Sequence, residues 1–251
     1  MNSRLQVVGI KGGDAVQLIV ASSGSQGNCY ILKDDYEYLI IEAGVPLKAI
    51  LPLIDFQISK VSGVIVSHFH ADHDKYSKDW INRGIPVVRP FDETQKIPQF
   101  KRSCYKIQFF PLQDSNGKWV HSNGDGSECK VYGYLISHPR HGILVYASDM
   151  EFIKWKFSGV DNFLIEANYD LDELENDGEV KSKHIFNGHH SIQAACKFIQ
   201  ANQNANDIKN VILCHLSSQN GSPDDFKKKM EEVTGEKTRV YIAKKGLKVE
   251  L

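Results

Sequence analysis

The feature that most constrains the fold is a block of metal-binding residue types directly after an apolar segment. Residues 64–77 read VIVSHFHADHDKYS, which places four such residues within six positions: His68, His70, Asp72 and His73. Side chains alternate along an extended chain, so His68 and His70 point to the same side. Imidazole nitrogens and carboxylate oxygens are ligands for zinc or manganese. Asp72 and His73 lie just after the strand, where the chain turns, and can reach a second metal beside the first. The pattern predicts a metal site at the end of a buried strand rather than a polar loop with chance histidines.

Composition and charge limit the classes of protein. The chain has 251 residues, of which 41% are hydrophobic, and this is enough to bury a large core. A formal net charge of −1 excludes a bulk basic field for nucleic acid, although not a local basic patch. The N-terminal sequence lacks the apolar core of a secretory signal, and no apolar run is as long as a membrane span. Five widely spaced cysteines without a C-x-x-C pair favour a reducing cytoplasm over a disulfide framework.

Apolar segments alternate with amphipathic ones along the chain. Buried strands are predicted at 16–23, 61–68, 142–149, 160–168 and 210–218, and a last strand at 238–243. Amphipathic helices are predicted at 191–202, with Ser191 as N-cap, and at 222–235, which begins with Ser222 and Pro223 and ends at Gly235. This alternation predicts one α/β domain over residues 1–251, in which helices cover sheets.

A site for two metals needs further ligands, and distant segments converge only at strand ends. Asp149 ends the apolar segment ILVYASD. Because one carboxylate can give an oxygen to each of two ions, we predict that Asp149 is a bridging ligand rather than a helix N-cap. His215 follows the apolar NVILC and is predicted as a ligand rather than a core histidine. For the remaining ligand we prefer His121, in a polar loop, to His138 or His141 in the turn SHPRHG.

Several motifs together resemble the metallo-β-lactamase fold and, within it, the YycJ/WalJ-type proteins, which are related to the nucleases tRNase Z and RNase J. The H-x-H-x-D-H block is typical of the superfold. The branch is indicated by SSGSQGNCYIL, LIIEAG, YASD, LIEANYD, HHSIQAA and CHLSSQN. The resemblance runs from about residue 16 to residue 243. It implies a four-layer αββα sandwich, in which two mixed sheets are covered by helices on the outside.

The resemblance implies two divalent ions, zinc or manganese, with ligands in three groups: His68, His70 and His121 for one ion, Asp72, His73 and His215 for the second, and Asp149 between them. Relatives usually carry the third-motif ligand nearer the FFPL segment, where this chain has Asp114, so Asp114 stays open as the alternative to His121. Glu42 stands where the superfold often has Asp and is expected to brace the metal loop.

The resemblance also implies a hydrolase that activates water for attack on phosphorus or on a carbonyl carbon. Asp72 is a candidate proton acceptor for that water. His190, in the segment GHHS, is a candidate acid or phosphate ligand, and its alternative is an ordinary position beside the helix N-cap. The predicted function is a metal-dependent phosphodiesterase or nuclease that acts on DNA or RNA.

Two other functions stay open. The near-zero net charge fits hydrolysis of a small molecule, such as a cyclic nucleotide, a thioester or a lactone, because nucleases often show a stronger basic bias. A non-catalytic binding protein would be indicated by loss of a ligand at the 114–121 position. The expected partners are nucleic acid and, since many members of this fold pair, a second copy of the chain; no membrane partner is expected.

Overall fold

The computed structural model describes residues 15–94, 96–98, 100, 103–174, 188–217 and 221–251. The strands, in chain order, are β1 (Gln17–Ser22), β2 (Cys29–Lys33), β3 (Tyr38–Ile41), β4 (Val61–Ile65), β5 (Val87–Val88), β6 (Lys106–Pro111), β7 (Tyr132–His138), β8 (Gly142–Ala147), β9 (Asn162–Glu166), β10 (Asn210–Cys214), β11 (Arg239–Ile242) and β12 (Lys248–Glu250). The helices are α1 (Leu47–Ile50), α2 (Ala71–Asp74), α3 (Ser77–Ile81), α4 (Leu171–Leu174), α5 (Ile192–Gln203) and α6 (Pro223–Thr234), with 3₁₀ turns at Leu51–Ile54 and Ile58–Lys60.

The strands form two six-stranded mixed sheets. The first has the order β12-β1-β2-β3-β4-β5 and the second the order β11-β10-β9-β8-β7-β6. In the first sheet β1, β2 and β3 are antiparallel, whereas β4 and β5 join β3 in parallel. In the second sheet β8, β9, β10 and β11 are parallel, whereas β6 and β7 are antiparallel.

Three hydrophobic clusters separate the layers. The central cluster joins side chains from both sheets, such as Leu18 and Tyr146. One outer cluster packs the first sheet against helical residues such as Trp80, and the other packs the second sheet against residues such as Phe198 and Phe226. The strands therefore bury both faces, which explains their continuous apolar sequences. The predicted α/β class, with two mixed sheets flanked by helices, is confirmed.

The two long helices begin where their capping residues predict. The Ser191 hydroxyl accepts a hydrogen bond from the Ala194 N–H at 3.1 Å, and the Ser222 hydroxyl accepts one from the Asp225 N–H. Gly235, with φ of 71°, follows α6. The strand predicted at 238–243 is present as β11, but it is not the last strand, because β12 follows it and pairs antiparallel with β1. β12 has only three residues and a single buried side chain, which is too short for a recognisable alternation.

Left-handed backbone marks the strand ends where the site is found. Of the five described non-glycine residues with positive φ, three follow strands β3, β8 and β10: Glu42, Asp149 and His215. Such conformations cost about 1–3 kcal/mol each and cluster at functional sites. In the described part of the chain no helix is long and apolar enough to cross a membrane.

Candidate metal centre

An open cavity of about 590 Å³ lies at the ends of these strands. Its walls come from both sheets and from the loop at 121–126. The chemically important lining residues are His70, Asp72, His121, Asp149, His189 and His215. In α/β folds ligands bind outside the carboxyl ends of the strands, and this cavity has that position.

The first of two ligand groups consists of three histidines that approach one another closely. The Nδ1 of His70 lies 3.1 Å from the Nε2 of His121, and the His68 ring packs edge-on against both. One ligand atom from each of the three lies within 4.8 Å of the others, and the buried Cys129 thiol belongs to the same group.

The second group contains two carboxylates and two histidines. The Nε2 of His73 lies 3.0 Å from the Oδ2 of Asp149 and 3.2 Å from the Oδ2 of Asp72. The Nε2 of His215 lies 3.4 Å from the same Asp72 oxygen. All seven residues predicted as ligands therefore lie in two groups at one site, and Asp149 belongs to the second. The charge of Asp149 also acts on His68 and His121 of the first group, where it opposes the lowering of their pKa by burial.

In each histidine of the first group, one ring nitrogen contacts a residue outside the group, and the other ring nitrogen faces the inside of the group. The outer contacts are 2.9 Å from His68 Nδ1 to the Ser67 hydroxyl, 2.9 Å from His70 Nε2 to the Asn123 amide oxygen, and 3.0 Å from His121 Nδ1 to the Gly188 carbonyl. The inward Nε2 of His68 is buried and has no hydrogen-bond partner in the described residues. A buried nitrogen without a hydrogen-bond partner is what a metal ligand requires.

The second group has the same arrangement with acidic outer partners. The Nδ1 of His215 donates to Glu166 at 2.9 Å, and the Nδ1 of His73 lies 3.4 Å from Glu42. Glu42 itself accepts hydrogen bonds from the Ser67 N–H, which joins it to the H-x-H-x-D-H loop. Carboxylates behind metal-binding histidines fix the ring orientation and the tautomer. The donor set and its supports therefore fit two divalent ions.

The two groups differ in charge. Burial and the neighbouring imidazoles lower the pKa of His68 and of His121, so both rings are neutral and ready to bind. Burial also opposes protonation of His215, but Asp149, Asp72 and Glu166 raise its pKa to about 10. Asp149 and Glu42 likewise raise the pKa of His73. An ion bound at this group would compete with protons for these two rings.

Glu166 and His189 belong to the site although the sequence analysis missed both. The Nδ1 of His189 lies 2.7 Å from the Oε1 of Glu166 and 3.8 Å from Asp149. Glu166 is fully buried and contacts His215 as well, so it connects the two histidines. Glu166 ends β9, between β8 and β10, and the strand-end argument that selected Asp149 and His215 applies equally to it.

The structure brings His121, not Asp114, to the cavity. Residues 113–119 form a tight turn in which Asp114 accepts hydrogen bonds from the N–H groups of Asn116 and Lys118. The chain returns to its path where the Val120 N–H donates to the Leu112 carbonyl. This turn takes up the extra residues between the FFPL segment and His121.

The remaining sequence candidates lie elsewhere. His138 ends β7 and its ring stacks on His141, with its Nε2 3.4 Å from Asp34 in the β2–β3 turn. This is the end of β8 away from Asp149. His190 is buried, and it lines a second cavity rather than the one that holds the ligands. At the ligand cavity its neighbour His189 takes the place that the sequence assigned to His190.

Three backbone segments cross beneath the second group. The Asn28 N–H donates to the Asp72 carbonyl at 2.7 Å, and the Gly44 N–H donates to the Asn28 carbonyl at 3.0 Å. The Asn28 side-chain nitrogen also lies 3.0 Å from the Nε2 of His73. A Cβ atom on Gly44 would lie 1.8 Å from the Asp72 carbonyl oxygen. Only glycine at position 44 therefore leaves enough space for the loop that carries Asp72.

Comparisons with known proteins agree with this geometry. A family model described as the metallo-beta-lactamase superfamily matches residues 23–151. The chain is 24% identical over 242 residues to exodeoxyribonuclease YycJ of Bacillus anthracis, a match that covers 87% of this chain and 89% of that protein. Among solved structures, the metallo-beta-lactamase fold protein YhfI from Bacillus subtilis matches with a TM-score of 0.66 and 18% identity, over 94% of this chain and 99% of that one. The short form of human tRNase Z matches with a TM-score of 0.55 and 12% identity, over 93% and 98% of the chains.

Proposed function

Since the chain belongs to the metallo-β-lactamase superfamily and is a metal-dependent hydrolase of that fold, we propose that it is a phosphodiesterase with a dinuclear metal site that cleaves DNA or RNA. The observation that carries the proposal is the presence of two ligand groups at one cavity, beside His189, whose Nδ1 lies 2.7 Å from Glu166. The nuclease names of two relatives, exodeoxyribonuclease YycJ and tRNase Z, support the choice of nucleic acid.

The residues divide into two metal sites with one shared ligand. We assign His68, His70 and His121 to one divalent ion, Asp72, His73 and His215 to the other, and Asp149 to both. Divalent ions held by these residues would supply Lewis acidity, which polarises a phosphodiester and makes a water molecule more acidic. Zinc and manganese both suit these ligands.

Asp72 is the proposed proton acceptor. Its side chain is 21% exposed and lines the cavity, so it can reach a water molecule there. Burial opposes ionisation, but hydrogen bonds from His215 and His73 hold the pKa of Asp72 well below its usual range. Asp72 is therefore ionised at neutral pH, the form in which its carboxylate can accept a hydrogen bond from a water molecule and orient it.

His189 is the proposed contact for the phosphate and the proposed proton donor to the leaving oxygen, in place of His190. Burial favours the neutral ring, but the Glu166 carboxylate at 2.7 Å raises the pKa of His189 above its ordinary value. A protonated imidazole that lines the cavity can bind a phosphate oxygen and then give up its proton as the ester bond breaks. Glu166 also orients His215, so it couples the acid to the metal site.

We expect the metal-loaded protein to cleave bis-p-nitrophenyl phosphate and a labelled oligonucleotide, and EDTA to stop both reactions. Asp72→Ala and His121→Ala should each lower both rates more than about 100-fold, because loss of a ligand exceeds the 10–100-fold cost of losing an outer partner. The measurement is the initial rate with added Zn²⁺ or Mn²⁺.

Asp114→Asn is the matched control, since asparagine keeps the turn and Asp114 is the alternative to His121 as a ligand. We expect the Asp114→Asn variant to retain nearly the wild-type rate. If Asp114→Asn lost activity and His121→Ala retained it, Asp114 rather than His121 would be the metal ligand. Cleavage of neither substrate by the wild-type protein would contradict the proposed function.

His189→Gln should lower kcat by about 100-fold or more without loss of bound metal, since general acid catalysis contributes about 10²–10⁴-fold. In the wild-type protein kcat should also fall as the pH rises through the raised pKa of His189, because the acid form is then lost. The measurements are kcat against pH and the metal content of each protein. Loss of metal from His189→Gln would instead make His189 a ligand, and an unchanged kcat would exclude it from catalysis.

Hydrolysis of a small molecule is the second candidate function. It is favoured by the cavity volume of about 590 Å³, which is ordinary for a small-molecule site, and by the net charge of −1. The ionic strength distinguishes the two functions. A nuclease that contacts several phosphates should bind much more weakly as the salt concentration rises, whereas a small ester should bind almost independently of it.

A further inference from the structure

A short segment leaves the metal centre with exposed aromatic and basic side chains. Residues 150–157 read MEFIKWKF and follow Asp149 directly. Phe152 and Trp155 are each 39% exposed, and they lie three positions apart in the same short segment. Lys154 and Lys156 stand beside Trp155 in the sequence, and both are exposed.

These side chains line a second cavity, with a volume of about 290 Å³. Lys197, on α5, adds a further positive charge at its edge, and His190 forms part of its wall. Both ring nitrogens of His190 are buried and have no hydrogen-bond partner among the described residues. The cavity thus combines aromatic faces, three lysines and an unpartnered polar side chain.

The Trp155 ring is held in place while part of its surface stays open. Its indole N–H donates to the Pro111 carbonyl at 2.9 Å, and the Nζ of Lys154 lies 5.2 Å from the ring centroid. Downstream, the Phe157 N–H donates to the Asn202 side chain at 2.8 Å, which ties the segment to α5. A ring that is already fixed loses little conformational entropy when a planar ligand stacks on it.

The basic groups are available to an anionic ligand. Lys156 and Lys197 form no ion pair with any residue that the structure describes, and the Nζ of Lys154 donates a hydrogen bond to the neutral Asp114 carbonyl. The charges are therefore not neutralised by nearby carboxylates within the described residues. Lysines of this kind suit the phosphates of a nucleic acid backbone.

The second cavity adjoins the metal centre. The consecutive residues His189 and His190 line the two cavities, one each. The Glu151 N–H donates to the carbonyl of Val120, the neighbour of His121. Three residues of extended chain span at most about 10 Å, so Phe152 lies within that distance of Asp149. A strand bound at the metals can continue onto this surface.

We propose that Phe152, Trp155, Lys154, Lys156 and Lys197 form a binding surface for single-stranded DNA or RNA, on which unpaired bases next to the scissile phosphate stack. The inference rests on the proposed nuclease function and names its substrate class. Bases in a duplex are already stacked on one another, whereas an unpaired base offers a free face to an aromatic side chain. Lysines around the rings bind the backbone phosphates in any sequence.

The test is the affinity of the metal-loaded protein for short single strands of DNA and of RNA with phosphorothioate linkages, measured by fluorescence anisotropy. Trp155→Ala should weaken binding about tenfold or more, within the range for loss of one stacked base. Trp155→Tyr should restore most of the affinity, because tyrosine also stacks. Tyr36→Ala is the matched control, since Tyr36 is an exposed aromatic residue on the β2–β3 turn. The affinity of the Tyr36→Ala variant for the same strands should equal that of the wild-type protein. Comparison of the DNA and RNA strands shows which of the two is preferred.

The contribution of the lysines is measured separately from that of Trp155, through the salt dependence of strand binding. The Lys156→Ala/Lys197→Ala double variant should reduce the slope of log K against log salt by about 1.4, since each phosphate contact on a single strand contributes about 0.7. Lys48→Ala, a change of an exposed lysine on α1, should leave the slope unchanged.

Hydrolysis of bis-p-nitrophenyl phosphate by the wild-type protein separates this inference from the proposed function. If the wild-type protein cleaves the diester but Trp155→Ala binds single strands with unchanged affinity, the surface is disproved and the catalytic proposal stands. An equal loss of affinity for a duplex of the same sequence would also overturn the preference for single strands. If strand binding depends on Trp155 but no diester is cleaved, the surface is supported and the proposed catalysis fails.

Discussion

Replacement of Asp149 by asparagine is expected to abolish binding of both metal ions at stoichiometric concentrations and to lower phosphodiester hydrolysis more than 100-fold. Asp149 is buried, with one oxygen 3.0 Å from the Nε2 of His73. It is the residue that we assign to both ions, so its charge is lost from both sites at once. The expected loss exceeds the 10–100-fold effect of removing a group that only supports a ligand.

Asparagine is the appropriate replacement because it tolerates the left-handed backbone that Asp149 adopts, with φ of 55°. The variant therefore removes charge with little effect on the local conformation. The measurements are metal content after dialysis and the rate of diester hydrolysis. Asp125→Asn is the control, because this carboxylate lines the same cavity but belongs to neither ligand group. An Asp149→Asn protein that retains two ions would refute the bridging assignment.

Gly44→Ala is expected to lower the free energy of unfolding by about 3 kcal/mol or more and to prevent metal binding at the second group. The new Cβ would lie 1.8 Å from the Asp72 carbonyl oxygen and 2.6 Å from the Asn28 nitrogen. Both are backbone atoms that hydrogen-bond to each other, so neither can move without breaking the contact that seats the Asp72 loop.

Gly124→Ala provides the matched control, since a Cβ at that position has no neighbour within 4 Å and the residue lies in the cavity wall. Urea unfolding of the metal-free proteins gives the stability difference, and metal content gives the effect on the site. We expect Gly124→Ala to unfold close to the wild-type midpoint. A Gly44→Ala protein with wild-type stability would show that the three crossing segments do not constrain the loop.

The predicted ligands that the structure brings together share a simple local signal. His68, His70 and Asp72 form one compact motif, and Asp149 and His215 each end a continuous apolar strand. A buried strand is recognisable from its composition, and a polar residue at its end is then conspicuous. Convergence of these ends follows from the parallel arrangement of strands in the sheets.

Residues whose position depends on loops or on a single peptide unit were harder to assign. Whether His121 or Asp114 reached the site depended on the turn at 113–119. Its sequence QDSNGKW is typical of a turn, but it does not tell which side chain beside the turn enters the cavity. His189 and His190 are adjacent in the sequence. Contacts with residues at the end of β9 determine which of the two side chains enters the cavity. There the Asn168 N–H donates to the His190 carbonyl, and Glu166 holds the His189 ring.

The metal content of the wild-type protein tests the central claim most directly. After saturation with Zn²⁺ or Mn²⁺ and removal of free metal by dialysis, atomic emission spectroscopy gives the number of ions per chain, and the same sample is assayed with bis-p-nitrophenyl phosphate. We predict two ions per chain and hydrolysis that is lost when the ions are chelated. One ion per chain, or two ions without any hydrolysis of the diester or of an oligonucleotide, would contradict the account of a dinuclear phosphodiesterase.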